Sequence, residues 1–273
     1  MDRETGNDPA RLSAAALFDR ILREQADVFA RRHAALQQDD APENPHRARV
    51  ALRRLRSALD GFAPILDAKQ ARKLSRRARG LFRILGPLRD ADVAVLSFGT
   101  GDDREAFVAR AGAVRDGTRE ALVSARAADF AAEVEAALDS GRLMGGDAAA
   151  RRMAAADAGL LAALALQRAW TEALVYGPAL HSLEDEPRHE FRKDMKSLRY
   201  LTEFFAGSIE GAKPRRFLRR MEALQDDLGE LNDIFVHAGD APLGTELQRR
   251  VDRAMEAAEG HWARLRKLGP WWV

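Results

Sequence analysis

Apolar residues recur at the three- or four-residue spacing of α-helices along almost the whole chain, and the alternation typical of strands is absent. Ala, Leu, Arg and Glu dominate, and these residues favour helices. The predicted fold class is therefore all-α. The predicted helices span residues 11–38, 45–62, 69–85, 88–96, 104–139, 147–176, 188–205, 215–228, 231–238 and 245–268.

Glycine, proline and capping residues predict where these helices begin and end. Asn44 is predicted to cap the helix whose first residue is Pro45, because proline suits the first helical position. Breaks are predicted at Gly86-Pro87, at Gly229 and near Gly112 or Gly117. Loops are predicted at 97–103, 207–214 and 239–244, and residues 1–10 are predicted to be disordered.

The predicted helix 45–62 has two unlike faces. One face carries a histidine and a row of cations, and the other carries an apolar stripe suited to a core. The predicted helix 188–205 repeats the pattern. The two rows are His46, Arg49, Arg53 and Arg56 in the first helix, and His189, Arg192, Lys196 and Arg199 in the second.

The two helices are related by a constant offset of 143 residues. From His46 to Asp90 this register continues without insertion and includes an L-G-x-L-x-D turn in both copies. Such an internal repeat predicts two pseudo-symmetric four-helix bundles. We assign residues 11–139 to the first half and 147–268 to the second, joined by the glycine-containing segment 140–146 into one domain.

Charge is distributed unevenly along the 273 residues, although the net charge is only +2. Residues 45–89 contain 13 Lys and Arg against two acidic residues, and residues 188–220 contain 10 against four. Such concentrated positive charge attracts polyanions. The chain has no cysteine, no signal-peptide core and no apolar run of membrane-spanning length, so we expect a cytoplasmic protein without a membrane partner.

The cation rows suit a ligand that offers many phosphate oxygens, because each arginine fork can donate to two oxygens at once. We expect Arg72, Arg76, Arg215 and Arg219 to add secondary walls. Neighbouring cations should disfavour protonation of His46. The simpler interpretation of each helix alone is a solvated basic face. The remaining histidines have no histidine counterpart at the 143-residue offset and are interpreted as incidental: His33, His181, His237 and His261.

These motifs resemble the CHAD family, the conserved histidine α-helical domain, from about residue 11 to residue 268. They are H-x-x-R-x-x-x-R-x-x-R from His46, its copy with Lys196, and the two L-G-x-L-x-D turns. The resemblance implies paired four-helix bundles with a basic cavity or groove, which bind inorganic polyphosphate and associate with polyphosphate granules. The second half departs from the basic pattern: Glu222, Asp226 and Asp227 replace Arg79, Arg83 and Ile84.

No sequence motif indicates catalysis, and the E-x-E-x-K signature of triphosphate-tunnel enzymes is absent. We therefore expect a non-catalytic protein without cofactor or metal. Two acidic groups are conceivable metal ligands: Asp90 with Asp92, and Asp226 with Asp227 and Asp233. Asp90 and Asp233 are interpreted instead as bracing the glycine turns. A nucleic-acid binder and a granule-coat or interaction scaffold are the alternative functions. The oligomeric state, and whether Trp271 and Trp272 pack or form a contact site, remain open.

Overall fold

A computed structural model of the protein describes residues 12–98, 104–211, 213–238 and 244–273. Predictions for residues 1–10, 99–103 and 239–243 lie outside the described residues. Within them there are isolated bridges but no strand, so the all-α prediction is confirmed. The helices are α1 (Ala14–Gln38), α2 (Glu43–Gly61), α3 (Ala68–Ile84), α4 (Gly86–Phe98), α5 (Arg104–Ser124), α6 (Phe130–Asp139), α7 (Ala148–Ala155), α8 (Ala158–Leu174), α9 (Asp185–Phe205), α10 (Pro214–Ala238) and α11 (Thr245–Leu268).

The described helices fall into two compact units that divide between Ala156 and Asp157. The first unit contains α1–α7, and the second contains α8–α11. Helix α7 therefore groups with the first unit, although the sequence assigned it to the second half. The glycine-containing segment before it is also held by the first unit, because Gly145 N–H donates to the Ile65 carbonyl at 2.9 Å.

The core of the first unit forms where α1 packs along α2 and α6. The apolar stripe of α2 is buried as its spacing predicts, with Leu52 and Leu55 fully inaccessible. Two aromatic contacts join the helices. The ring centroids of Phe18 and Phe62 lie 5.4 Å apart, and those of Phe29 and Phe130, the first residue of α6, lie 5.3 Å apart. Burial of this stripe orients the opposite, arginine-bearing face of α2 away from the core.

The core of the second unit is centred on Trp262 of α11. Its ring lies 5.6 Å from that of Trp170 and 5.1 Å from that of Phe191, and its indole N–H donates to the Gly177 carbonyl. Trp272 is 5% exposed and also packs edge-on against Trp170. Trp272 is therefore a core residue of the second unit, which answers for this residue the question that the sequence left open.

The predicted cap of α2 is wrong. The helix begins at Glu43, and the residue before it, Pro42, makes no side-chain capping bond. Asn44 instead lies buried in the first turn. Its side-chain oxygen accepts a hydrogen bond from Arg32 at 3.2 Å, and its side-chain NH2 donates to the Asp39 carboxylate at 2.7 Å. The role of Asn44 is decided by these two partners, which lie on α1 and in the loop after it. The local sequence pattern of a capping residue before proline contains no information about them.

Three predicted helix boundaries also differ from the structure. Helix α5 runs through both of its glycines and ends at Ser124, before Arg126 in the left-handed region at φ 51°. The predicted helix 147–176 is divided at Asp157, whose side chain caps α8. Helix α10 continues through Gly229. The next residue, Glu230, has a backbone N–H that can donate within the helix, whereas Pro87, at the equivalent position of the first copy, has none.

The uninterrupted α5 leads to a prediction for Gly117→Ala. A Cβ at Gly117 would meet no described atom within 4 Å, and alanine costs less backbone entropy in a helix than glycine. We expect Gly117→Ala to increase the free energy of unfolding by about 0.5–1 kcal/mol, measured by chemical denaturation. Gly159→Ala is the contrasting control, because its Cβ would lie 2.4 Å from the Ser208 carbonyl oxygen and should destabilise. A destabilising Gly117→Ala would contradict the continuous helix.

Among the described residues, no helix combines the length and apolar character needed to cross a bilayer.

The apolar stripe of α9 is buried just as that of α2 is, with Phe191, Met195, Leu198 and Phe205 all inaccessible. Both histidine-bearing helices thus direct one face into the core of their own unit and leave their cation rows for other contacts.

Candidate functional site

The arginine row of α2 is organised around the ring of Phe82 at the end of α3. The Arg49 guanidinium lies 3.9 Å from the ring centroid, and Arg53 lies 5.1 Å from it. Arg49 also donates through Nη1 to the Phe82 carbonyl at 2.9 Å. Burial, reinforced by the charge of Arg53, lowers the pKa of Arg49 to about 10. Arg49 is therefore a partly buried, anchored cation, whereas Arg53 lies farther from the centre of the same ring.

Helix α3 adds two more cations to this row. Burial lowers the pKa of Arg56, and the charges of Arg79, Arg53 and Arg83 lower it further. Helical spacing places Arg79 and Arg83 on one face of α3. We call Arg49, Arg53, Arg56, Arg79 and Arg83 the first basic cluster. Because the charges of Arg79, Arg53 and Arg83 lower the pKa of Arg56, these cations repel Arg56. A bound anion would relieve this repulsion.

The predicted wall residues Arg72 and Arg76 are exposed on α3. Three- and four-residue spacing places them on the same face as Arg79 and Arg83, towards the start of the helix. They continue the cationic face of α3, and their role as walls of a binding site stays a prediction. Arg77 lies one position away and belongs elsewhere, since it donates to Glu133 at 3.0 Å and to the Ala125 carbonyl at 2.9 Å.

His46 lies at a different part of α2. It lines a groove of about 340 Å³ between α1 and α2, together with Glu24, Glu43 and Arg47. The pKa of Glu43 is lowered mainly by its hydrogen bond from Arg47, with a smaller contribution from His46. The lining of this groove includes none of the first basic cluster. The row of one histidine and three arginines thus borders two surfaces: one is strongly basic and the other is mixed in charge.

The corresponding row of α9 is partly neutralised by carboxylates. Arg199 donates to Glu203 at 2.9 Å and to the Gln225 amide oxygen at 3.2 Å, and Glu222 lies 3.8 Å away. At the 143-residue offset Glu222 corresponds to Arg79, so a cation beside Arg56 is replaced by an anion beside Arg199. Lys196 is half-buried on the same helix. The second row is therefore a weaker source of positive charge than the first.

The remaining predicted residues of the second unit lie at the two ends of this row. His189 and Arg192 line a groove between α9 and α10, and burial together with Lys193 and Arg192 lowers the pKa of His189. Arg215 and Arg219 are exposed near the start of α10, and the same face carries the acidic Glu222 and Asp226 further along.

Sequence reasoning left Arg79 and Arg83 out of the predicted site. The signal was available, because both continue the helical spacing from Arg72 and Arg76. The spacing could not predict that Arg79 and Arg83 lie near Arg56, because this proximity depends on how α3 packs against α2. Arg89 of α4 was also omitted, although its charge contributes to the lowered pKa of Arg49.

The acidic residues considered as metal ligands have other surroundings. Among the described residues there is no group of three or more His, Asp or Glu side chains placed to hold a metal ion. Asp92 is buried and accepts from Arg115 at 2.6 Å, while Asp227 lies 2.6 Å from His261. Asp92 is thus part of an internal ion pair between α4 and α5, and the interpretation of Asp90 as a brace stays a prediction.

A family model for the CHAD domain matches residues 20–239, which is most of the chain. The chain belongs to the CHAD-domain family. The resemblance that the two histidine motifs suggested is thereby confirmed. Because the family match spans both α2 and α9, both cation rows lie inside the CHAD domain.

Two solved structures resemble this CHAD-domain protein along nearly its whole length. The crystal structure of the CHAD domain from the plant Ricinus communis is 24% identical, covers 93% of each chain and superposes with a TM-score of 0.69. PptA from Streptomyces chartreusis is 16% identical, covers 92% of this chain and 100% of its own, with a TM-score of 0.62. A search of curated proteins finds no match. The structural likenesses show a shared fold.

Proposed function

We propose that this CHAD-domain protein binds inorganic polyphosphate on the first unit without hydrolysing it. The observation that carries the proposal is the first basic cluster, in which Arg56 is half-buried among Arg53, Arg79 and Arg83. A linear chain of phosphates offers one negative charge and several acceptor oxygens at each unit. Bringing such a chain against these arginines would replace mutual repulsion by charge-assisted hydrogen bonds.

The roles within the cluster differ. Arg49 has its guanidinium stacked on Phe82 and donates to the carbonyl of that residue, so we assign it to positioning the ring and, through the ring, Arg53. Arg53, Arg56, Arg79 and Arg83 are the phosphate donors. Arg72 and Arg76 would lengthen the track along α3, which suits a polymer better than a single phosphate.

The second row has a smaller part in this proposal. Arg199 already donates to Glu203 and lies near Glu222, so a phosphate there would have to compete with two carboxylates. Lys196, Arg215 and Arg219 remain as exposed or half-exposed cations. We therefore propose that the two halves bind unequally and that the first unit dominates the affinity. Association with polyphosphate granules would follow from this binding.

A titration with long-chain polyphosphate at several salt concentrations tests the proposal. We expect the logarithm of the affinity to fall linearly with the logarithm of salt, by about 0.7–0.9 for each phosphate contact, as found for nucleic acids. Four donor arginines then predict a slope near −3. A slope close to zero would contradict binding through the cluster.

Competition separates polyphosphate from the alternative ligands. Polyphosphate should displace a labelled polyphosphate chain at lower phosphate concentration than single-stranded or duplex DNA or RNA does. Stronger displacement by nucleic acid would favour the nucleic-acid alternative, and a protein that binds neither polymer would favour the interaction scaffold. Incubation with polyphosphate should release no orthophosphate, and steady release would overturn the non-catalytic assignment.

A further inference from the structure

The second unit contains a groove whose chemistry differs from that of the basic cluster. It lies between the start of α9 and the second half of α10 and has a volume of about 330 Å³. Its floor is apolar, and one wall carries two arginines beside two acidic residues. The lining residues are Asp185, Glu186, Arg188, His189, Arg192, Leu228, Leu231, Asn232 and Phe235.

Two of these residues distinguish the groove from the matching part of the first unit. Arg188 places its guanidinium 5.6 Å from the Phe235 ring centroid. At the 143-residue offset the corresponding residues are Pro45 and Asp92, and Asp92 is buried in its ion pair with Arg115. The first copy therefore has neither the cation nor the ring. A feature present in only one copy is not required by the architecture that the copies share.

We propose that this groove binds a nucleotide, with its base against Phe235 and its phosphate against Arg188 and Arg192. The proposal goes beyond polyphosphate binding, since the residues that line the groove all belong to the second unit. The volume lies within the range of small-molecule sites, which are mostly apolar with a few placed polar groups. The groove differs from a polyphosphate track, because a polymer of phosphates has nothing to place on an apolar floor.

The base is accommodated by the apolar part of the groove. Leu228 and Leu231 are each 2% exposed and close the floor, while Phe235 is only partly buried, so its ring is available to contact a base. An aromatic base is bound favourably when it stacks on such a ring. Asn232 also lines the groove. Its side-chain amide can both donate and accept hydrogen bonds, so it can pair with the edge of a base.

The phosphate is accommodated by the arginines at the start of α9. Arg188 donates to Asp185 at 2.8 Å and to the Leu183 carbonyl at 3.1 Å, and its Nε is buried without a hydrogen-bond partner among the described residues. The Asp185 side chain is 89% exposed, so its ion pair with Arg188 is weak and can yield to a phosphate. Glu186 opposes the anion from the same turn.

Ligand-observed NMR and calorimetry test the proposal with adenosine 5′-monophosphate as the probe. Saturation transfer should reach the base protons, and adenosine and ribose 5-phosphate should each bind at least about tenfold more weakly, because each lacks one of the two contacts. Equal binding of ribose 5-phosphate would overturn the role of Phe235. Equal binding of adenosine would overturn the role of the arginines.

Variants locate the site. Phe235→Ala should weaken binding about tenfold through lost stacking, and Glu186→Gln should strengthen it by about twofold to fivefold through lost repulsion. The control is Arg216→Ala, which removes an exposed cation of α10 that does not line the groove. Because Glu186 is exposed, its variant tests the site even where Phe235→Ala disturbs the fold. Weaker binding by Glu186→Gln would overturn the proposal.

The outcome is separable from that of the proposed function. Changing Arg53 and Arg79 to Ala should weaken polyphosphate binding and leave binding of the mononucleotide unchanged. If the mononucleotide is lost together with polyphosphate, it binds at the first basic cluster and the groove proposal is wrong. If polyphosphate fails to bind to the wild-type protein while the mononucleotide binds and Glu186→Gln strengthens it, the groove proposal stands and the polyphosphate proposal falls.

Discussion

Replacing Arg79 by Glu and Arg83 by Asp in one variant is expected to lower the affinity for polyphosphate by at least about 100-fold. Hydrogen bonds to charged groups contribute about 1.5–3 kcal/mol each, and the variant removes two donors while adding two repulsive charges. The two acidic residues are those that the second copy carries as Glu222 and Asp226. The variant thus gives the first unit the charge pattern of the second. Affinity is measured by titration at constant salt.

The matched control reverses two arginines elsewhere on the first unit. Arg20 of α1 and Arg110 of α5 are both exposed, and neither belongs to the first basic cluster. Arg20→Glu with Arg110→Asp changes the net charge by the same amount, so it separates local contact from the general attraction of a charged protein. An equal loss in both variants would mean that total charge, rather than the cluster, determines the affinity.

The opposite exchange in the second unit provides an independent arm. Glu222→Arg with Asp226→Arg removes the carboxylate 3.8 Å from Arg199 and continues the cationic face that begins at Arg215 and Arg219. Both positions are exposed, so the fold should tolerate the change. We expect polyphosphate affinity to rise and the salt dependence to steepen. An unchanged salt slope would show that the row of α9 takes no part in binding.

Replacing Asp92 by Leu is expected to lower the free energy of unfolding of the first unit by about 3–5 kcal/mol. Asp92 and Arg115 have side chains only 4% and 9% exposed, and their closest atoms lie 2.6 Å apart. Burial raises the pKa of Asp92, while the charge of Arg115 opposes that rise. Removing the carboxylate leaves the buried Arg115 guanidinium with Asp40, at 3.8 Å, as its remaining ion-pair partner among the described residues. Chemical denaturation measures the loss.

Two further variants show whether the cost comes from the uncompensated charge. Glu120→Leu, at an exposed position of α5, should change stability by no more than about 0.5 kcal/mol. Adding Arg115→Met to Asp92→Leu should recover most of the loss, because an apolar pair can replace a buried ion pair. A double variant that is no more stable than Asp92→Leu would indicate lost packing instead.

The sequence alone determined the class of the fold and the composition of its two histidine-bearing helices. Periodic apolar residues are a local signal: Leu52, Leu55, Phe191 and Leu198 follow helical spacing, and all are buried. The cation rows follow from the same period on the opposite face. The motifs around His46 and His189 also led to the CHAD family, which the family match confirms. The 143-residue repeat itself stays a prediction.

Helix ends were less predictable, because they depend on partners outside the helix. Asn44 has the composition of a cap, yet its side chain bonds to Arg32 and Asp39. Gly117 has the composition of a break, yet α5 continues through it. A glycine costs about 1 kcal/mol in a helix, which packing along the rest of the helix can offset.

Only the tertiary structure decided which charges meet. The distance from Arg56 to the cations of α3, and from Arg199 to Glu222 of α10, depends on how neighbouring helices pack. The same holds for Asp92, whose carboxylate is of a kind that can ligate metal but lies against Arg115 of α5. Helical period fixes the face on which a side chain lies. Electrostatic energy depends on the distance through space to its neighbours, and that distance exists only once the helices have packed.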